Sequence, residues 1–572
     1  MHIFEREVNG HRYRYAAQSV WDPVRGRSVA RQIVLGPAAP PPVADLGATH
    51  TVGTRKLGDV GALVWVAEQL DLVAHIDRAC GKLGAKSGPS VGELAVAVAI
   101  QRACAPGPKC DLGEFLDTSV PRLSCLPGSA FSGQAFHRVA QQVSEHDLEQ
   151  AQIAIAKAAV ARFDLATDVL AFDTTNFDTH IATQTPGELA RRGHAKSKRS
   201  DLRVVGLGLL VSETGHVPLL YRSYGGNGSD QGVLTACLEG LRGLHEALDD
   251  GEARAWSRPA QRTLVRDGGF WSPQLELELD AVGYYSLISL PLGHTAAEEA
   301  LQMAAGRGAM KRLSGKLSQV RAARRRTAVG ALDRTLVVVE SAELLAGQKR
   351  GIAVALRKAK VELRQLERLT QTGRISRRRV EQRVKKALAR EHLSSFVVVT
   401  IAGTEKAPTL QWNVDAALRH RLETTRLGRR VLCTDRHNWS TARIVHAFRG
   451  QWNVEEMFRR AKKGGVVPWG PSYQWTDGSI RLHTFASVVG LTLVSLAKIA
   501  LGTEASARKS MESLGEIRAT LVRTTTGGAG RRPTVMLAPA LTSEQRRAVK
   551  IFALERWFPH ILTSMTARPL KQ

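Results

Sequence analysis

Cysteine is scarce in this sequence, with six in 572 residues. So few thiols fit a reducing compartment rather than a disulfide scaffold. Cys104 and Cys110, the nearest pair, have no matching Cys/His pair at zinc-site spacing. Long hydrophobic runs are also missing. The greasiest stretch, 488–501, is interrupted by Lys498 and is too short to span a bilayer. The opening residues, MHIFEREVNG, are charged and polar, so no cleavable signal is expected at Met1. No internal repeat of fixed period stands out. These absences exclude secreted and transmembrane readings and imply a cytoplasmic protein. A chain of this length, with three to four domains at about 150 residues each, buries about three-quarters of its unfolded surface and needs no staple.

Acidic residues are outnumbered. There are 80 Lys and Arg against 53 Asp and Glu, a formal charge of +27 with a sequence pI near 10.3. Such an excess points to a polyanionic partner, and nucleic acid is the first candidate. A membrane surface requires a basic amphipathic helix near one end, and none stands out. The bland alternative is a merely basic protein, but the distribution argues against it. Residues 307–390 hold 24 basic and 6 acidic residues, so 18 of the excess charges sit in 84 positions. That concentration has the form of an electrostatic footprint on phosphates.

The expected architecture is α/β and multidomain. Residues 1–47 read as a β-hairpin, with two strands over 11–35 around the turn at 22–26, and a Pro-rich linker at 37–47. Residues 48–165 are helical by period, a candidate DNA-binding domain. Residues 166–300 begin a mixed sheet: DVLAFDTTNF, LRVVGLGLLVS, VPLLYRSY, TLVRDGG and YYSLISL are its strands, with a helix over 231–248. Residues 301–395 form a basic helical insertion. Ile352, Leu356, Ala359, Leu363 and Leu366 make the seam of a helix, and a break at 370–373 leads to a second basic helix over 376–389, a helical hairpin. Residues 396–500 resume the core with SSFVVVTIA, RRVLCTD and a long helix from Ser440, whose side chain can cap its first turn. Residues 501–572 are a C-terminal helical region, with a flexible Gly-rich connection at 524–532 that lacks the Lys-Ser/Thr of a nucleotide cradle.

Three carboxylates carry the chemistry. Asp173 is expected at the end of the first core strand, Asp267 at the end of another, and Glu455 in mid-helix. Their separations of 94 and 188 residues mean that only the fold can unite them. Placed so, they could hold two magnesium ions about 3.5–4 Å apart on a phosphodiester, and Mg2+ takes such oxygen ligands with several waters. Each has a bland reading. Asp-Thr-Thr and Asp-Gly-Gly are common turns, and Glu455 could pair with Arg459 four residues on.

The texts DTTNF, RRGHAKSKRSDLRVVGLGLLVSETGHVPLLYRSYGGNGSD and TLVRDGGFWS resemble the catalytic region of bacterial insertion-sequence transposases, the cut-and-paste DDE type with a ribonuclease-H-like core. The helix is similar to that group's third-carboxylate motif, Tyr-x2-Arg-x3-Glu-x6-Lys. Aligned on Glu455, Lys462 matches, while Phe448 and Gln451 depart from the Tyr and Arg positions. Loss of that hydroxyl and that guanidinium fork weakens phosphate contacts near the site. PSYQWTDGSIRLHTFASVVGLTL resembles the post-catalytic segment, with Gln474 where His is more usual, and the N-terminal hairpin resembles the start of these proteins.

The resemblance implies a DNA transposase that binds terminal inverted repeats, cleaves the element's ends and joins the 3′ ends to target DNA. Asp173, Asp267 and Glu455 then hold two Mg2+ or Mn2+ ions. The partners implied are double-stranded DNA, at both element ends and target, and a second copy of the chain in the synaptic complex. The location becomes nucleoid-associated. Lys462 would hold a phosphate as a point charge. Trp452, one turn before Glu455, stands where related transposases stack an aromatic on a displaced base, and a Trp buried against the sheet is the alternative. Gln451, Arg459, Lys196, Lys198 and Arg199, with His194 in the same loop, and Arg377, Arg378 and Arg379 in the insertion complete the expected DNA contacts. Two other readings stay open: a two-metal nuclease or recombinase on the same core, and an inactive DNA-binding derivative.

Overall fold

The computed structural model describes residues 1–22, 26–38, 49–81, 88–249, 262–306, 308–524, 534–537, 539–559 and 561–562. Most of the expected 22–26 turn, the Pro-rich linker and the Gly-rich connection lie outside these residues. The chain is α/β and divides into two compact units. The first comprises Met1–Leu264, Ala281–Gly283 and Gly450–Gln572, and the second Val265–Asp280 and Tyr284–Arg449.

The first unit opens with an antiparallel sheet of β1 (His2–Val8), β2 (His11–Asp22) and β3 (Arg27–Pro37), in that order. The sequence pattern predicts only the last two, because β1 is exposed along most of its length and shows no buried stripe. β4 (Thr49–Lys56) pairs antiparallel with β16 (Arg518–Thr524), which pairs with β17 (Thr534–Leu537).

The expected helices follow: α1 (Gly58–Gln69), α2 (Leu72–Cys80), α3 (Val91–Cys104), α4 (Leu112–Asp117), α5 (Gly133–Ala140) and α6 (Glu145–Phe163). Ser90 starts α3 with a reciprocal cap. Its hydroxyl accepts from the Glu93 N–H at 3.1 Å, and the Glu93 carboxylate accepts from the Ser90 N–H at 3.0 Å. α16 (Asp477–Leu501) packs on α1, α3, α5 and α6. It corrects the expectation drawn from 488–501. The whole helix has 25 residues and is long and apolar enough to cross a membrane by length and composition. Yet 78% of its apolar window is buried within the protein, so it serves as the core helix of this unit. α17 (Ala507–Gly515) and α18 (Ser543–Ile551) follow it.

Within this unit β5 (Val169–Thr179) pairs antiparallel with β6 (Arg203–Ser212), and β6 with β7 (Pro218–Gly225). β6 is buried on both faces, which is why its text reads as a continuous apolar run instead of an alternation. Gly206 is required there, because a Cβ would meet the Tyr224 ring at 2.3 Å. The helix expected over 231–248 is two, α7 (Asp230–Ala236) and α8 (Leu238–Asp249), with the break at Cys237. β8 (Arg262–Arg266) begins beside β5, where the Thr263 N–H donates to the Asp168 carbonyl at 2.8 Å. Its first three residues belong to the first unit and its last two to the second.

In the second unit β9 (Tyr284–Leu290) pairs with β15 (Arg429–Thr434), β15 with β12 (Leu332–Ser341), β12 with β11 (Val320–Val329), and β11 with the short β10 (Lys311–Arg312), all antiparallel. The insertion expected to be helical over 301–395 is therefore β-structure from 311 to 341. Arg321, Arg324, Arg325 and Arg326 occupy exposed positions of β11, and that run of charge hid the strand. Charged side chains near a sheet edge discourage pairing with other chains.

The helical hairpin is present as α11 (Ala342–Gln371) and α12 (Arg377–Leu388). The expected seam is the buried side of α11, and Gly373, at φ +67°, makes the left-handed turn after it. The seam packs with Val380, Val384 and Leu388 of α12 and with Val397 and Leu410 of the hairpin β13 (Val397–Gly403) and β14 (Pro408–Val414). α9 (Pro273–Ala281), α10 (Thr295–Ala304), α13 (Ala416–Thr425) and α14 (Thr441–Arg449) complete the unit, apart from the last residue of α9.

Ser440 caps α14 as expected, accepting from the Arg443 N–H at 3.1 Å. The single long helix expected from there is instead two. A turn at Gly450-Gln451 separates α14 from α15 (Trp452–Ala461), which belongs to the first unit.

Candidate functional site

Asp173 lies inside β5, opposite Leu209 of β6, and not at the strand's end, because β5 runs on to Thr179. It is half-buried, and its Oδ1 accepts from the Thr174 N–H at 2.7 Å. Alternation puts Thr175 and Phe177 on the same face. Phe177 stacks on Trp469 with ring centres 4.9 Å apart. The Trp469 N–H donates to the Ala461 carbonyl at 2.7 Å, tying this segment to the last turn of α15.

Asp267 is exposed and follows β8 directly, at the start of a short 3-10 turn. It belongs to the second unit. Beneath it Arg266 and Glu276 are fully buried and paired at 2.6 Å, and Arg266 also donates to the Ser286 hydroxyl at 2.6 Å. The second Glu276 oxygen faces Arg334 at 3.5 Å. Nearby Asp435 accepts from the Ser286 N–H at 2.9 Å, and burial pushes its carboxyl up to about 6.

Glu455 sits in the first turn of α15 and not in mid-helix, and it is exposed. α15 packs on β5 and β6. The expected Arg459 partner goes to the neighbour instead: Glu456 pairs with Arg459 and, at 3.2 Å, with the buried Arg460. Trp452, the first residue of α15, is 52% exposed, which rules out the buried alternative. Its ring meets His216 edge-on at 5.6 Å and lies 5.8 Å from the Arg459 guanidinium. Burial, then the charges of Arg460 and Lys498, push the His216 imidazole down to about 4, so the ring beside Trp452 is neutral at pH 7. Gln451 is half-buried at the helix start, and Lys462 is exposed just past its end. Phe448 is buried at the end of α14 in the second unit.

The expected DNA-contacting loop is partly committed elsewhere. Lys196 donates its ammonium to the Thr174 carbonyl and its N–H to Asn176 at 2.9 Å. Asn176 also donates to the His194 carbonyl at 2.8 Å, and Ser197 donates to Asp178 at 2.8 Å. Arg199 forks onto Asp201, whose carboxyl that hydrogen-bonded guanidinium pulls down to about 2. Lys198 is exposed at φ +64°. In the hairpin Arg378 and Arg379 are exposed, but Arg377 is structural. It pairs with Glu381 at 3.0 Å and donates to the Gly403 and Ile401 carbonyls of β13.

Two features escaped sequence reasoning. A buried basic cluster, Arg102, Lys109 and His483, holds the segment after α15. Arg102 donates to the Pro468 and Gly470 carbonyls, and the His483 Nε2–H donates to the Trp469 carbonyl at 2.8 Å. Nδ1 of that ring can then only accept, from Lys109 at 2.8 Å. Burial, then Arg102, lowers the Lys109 amine to about 7. The second feature is an exposed aromatic pair beyond it, Tyr473 and Trp475, at 65% and 63% exposure. The exposure of both was unreadable from a segment that gives no helix or strand pattern.

Among the described residues no group of three His, Cys, Asp or Glu side chains is placed to hold a metal ion. No protein-family model and no curated protein matches the sequence. Among solved structures, a cryo-EM synaptic complex of piggyBac transposase with hairpin DNA is similar over 80% of this chain and 78% of that one, at 10% identity and a TM-score of 0.35.

Proposed function

We propose that this chain is a DDE-type DNA transposase of an insertion sequence, with a ribonuclease-H-like core. It would bind terminal inverted repeats, cleave DNA at the element's ends and join the 3′ ends to target DNA. The observation that carries the reading is Asp173 on an inner strand, with Glu455 exposed on the helix that packs against that strand. Both lie in a sequence that also holds TLVRDGGF and the Glu-x6-Lys spacing. The choice of Glu455 is supported by its neighbour, since Glu456 is taken up by two arginines.

By donor chemistry Asp173, Asp267 and Glu455 suit Mg2+ or Mn2+. We propose two ions for them as the resemblance implies, although among the described residues no three such side chains are gathered to hold a metal. When bound, two such ions would stabilise the attacking and leaving oxygens of an in-line displacement. The chain's own residues would position the DNA. Lys462 would hold a phosphate, and Trp452, already exposed beside a neutral His216, would stack on a displaced base. Arg459, Gln451, Lys198, Arg378 and Arg379 would add backbone contacts. A second copy of the chain would complete the synapsis of two ends. The cell location follows the DNA, at the nucleoid.

A second reading, a DNA-binding derivative without catalysis, is favoured by Phe448, which is buried and lacks a hydroxyl for any phosphate. One experiment separates them. A plasmid carrying the gene with its native flanks is incubated with the protein and Mg2+ or Mn2+, and strand breaks and joined products are mapped. Transposition gives cuts at flanking inverted repeats and joined products, and Asp173→Ala, Asp267→Ala and Glu455→Gln abolish both while DNA binding persists. Glu456→Gln keeps most cleavage. Cuts without joining indicate a nuclease, and no cuts indicate the derivative. Cleavage at the normal rate by Asp267→Ala would sink the site assignment.

A further inference from the structure

The far end of β5 carries a second surface. The loop 191–199 is bound along β5 through Asn176 and Asp178, which alternation places on the face opposite Asp173. Five of its nine residues are basic. On the other side of the same strand end, Thr179 bridges Ser472 and the His180 N–H donates to the Ser472 carbonyl at 3.0 Å. This fixes the segment that presents Tyr473 and Trp475. His180 stacks on Tyr473 with ring centres 5.3 Å apart. The segment is held from within by Arg102 and His483, so the aromatics project from a fastened backbone.

We propose that this surface binds single-stranded DNA, with bases stacked on Tyr473 and Trp475 and the phosphates drawn along the basic loop. Large rings exposed in water beside a cationic loop combine the two parts of such a site, a stacking platform and an electrostatic track. A duplex keeps its bases stacked on one another and offers the rings nothing. The surface lies about 20 Å along β5 from Asp173, six residues at roughly 3.3 Å each. The proposal rests on the DNA-cleaving reading for the source of the strand, a displaced end of the element, but binding itself needs no metal and no cleavage.

The test is fluorescence anisotropy of the full chain with labelled oligo-dT and with a duplex of equal length, in EDTA. Tyr473→Ala with Trp475→Ala should weaken oligo-dT binding about tenfold or more, by loss of stacking, and leave duplex binding unchanged. Tyr473→Phe with Trp475→Phe should restore it, which a fault in folding would not allow. Lys198→Gln should lower the oligo-dT salt slope by about 0.7. Unchanged oligo-dT affinity in the double Ala variant overturns the proposal, as does an equal loss for duplex. Plasmid cleavage by the parent protein is scored separately, so single-strand binding without cleavage would overturn the transposase reading and leave this surface standing.

Discussion

Two buried charge clusters, one in each unit, stand under the two candidate functional segments, and they are built on opposite logic. In the second unit Arg266 and Arg334 meet Glu276, with Asp435 close by, so cations and carboxylates are matched beneath the strand end that carries Asp267. In the first unit Arg102, Lys109 and His483 meet carbonyls, the Phe136 and Trp469 rings and one another beneath the segment that carries Tyr473 and Trp475. A matched cluster keeps its charges and fails when one member is removed. An unmatched one gives up part of its charge: Lys109 falls to about 7 and burial holds the His483 imidazole well below its ordinary range, while Arg102, lowered to about 10, stays charged. In the matched cluster Arg266, Arg334 and Glu276 form a paired anchor with Asp435 titrating at about 6 beside it, whereas in the unmatched one it is Lys109 that changes its protonation near neutrality.

The largest effect should come from breaking the matched cluster. Glu276→Ala leaves two arginines buried without their shared carboxylate and should cost about 3–5 kcal/mol in chemical denaturation. A loss under about 1 kcal/mol would show that the arginines find other acceptors and that the cluster is not an anchor.

The next effect is on pH dependence. The Lys109 amine titrates near 7 when folded and near 10.5 when unfolded. Between those values the unfolded chain binds the extra proton, so stability rises with pH from about 7 upward and is lowest below 7. Lys109→Met should therefore stabilise the protein more at pH 6 than at pH 9, and flatten the curve between them. Equal effects at both pH values would mean that the amine keeps its charge.

The smallest effect sharpens the contrast at the surface. Arg378→Gln with Arg379→Gln should leave thermal stability unchanged and lower the salt slope of duplex binding by about 0.9 for each phosphate that is no longer neutralised. Arg377→Gln should instead lower stability, because that side chain ties α12 to β13. An unchanged slope in the double variant would make these arginines a solvated face.

What the sequence made legible was whatever buried a periodic stripe. The α11 seam from Ile352 to Leu366 is buried as read, and β5, β6, β7, β8 and β9 lie where their apolar runs put them. Breaks were harder. Gly450 sits inside an otherwise helical text, and one glycine costs a helix only about 1 kcal/mol, too little to mark the turn between α14 and α15. β11 was masked by its arginines. β14 carries a legible alternation, PTLQWNV, yet it stands among none of the expected strands. The candidate acids were found through motif text alone, since Asp267 and Glu455 are exposed and leave no mark in a pattern of burial. The two buried clusters join residues far apart in sequence, such as Lys109 and His483, and no local window contains them.

The pairing of β4 with β16 sets how late in synthesis the first unit can close. These strands are about 460 residues apart, and α16, which fills the core of the same unit, is also made late. The second unit is encoded between them and emerges whole while the first still lacks its centre. At roughly 5–20 residues per second, α3 waits on the order of 20–90 s for the helix that covers it. A ribosome-bound chain can thus possess the basic hairpin well before it possesses Glu455 or a closed first unit. Interrupted synthesis would release fragments that carry positive charge without the complete set of candidate acids.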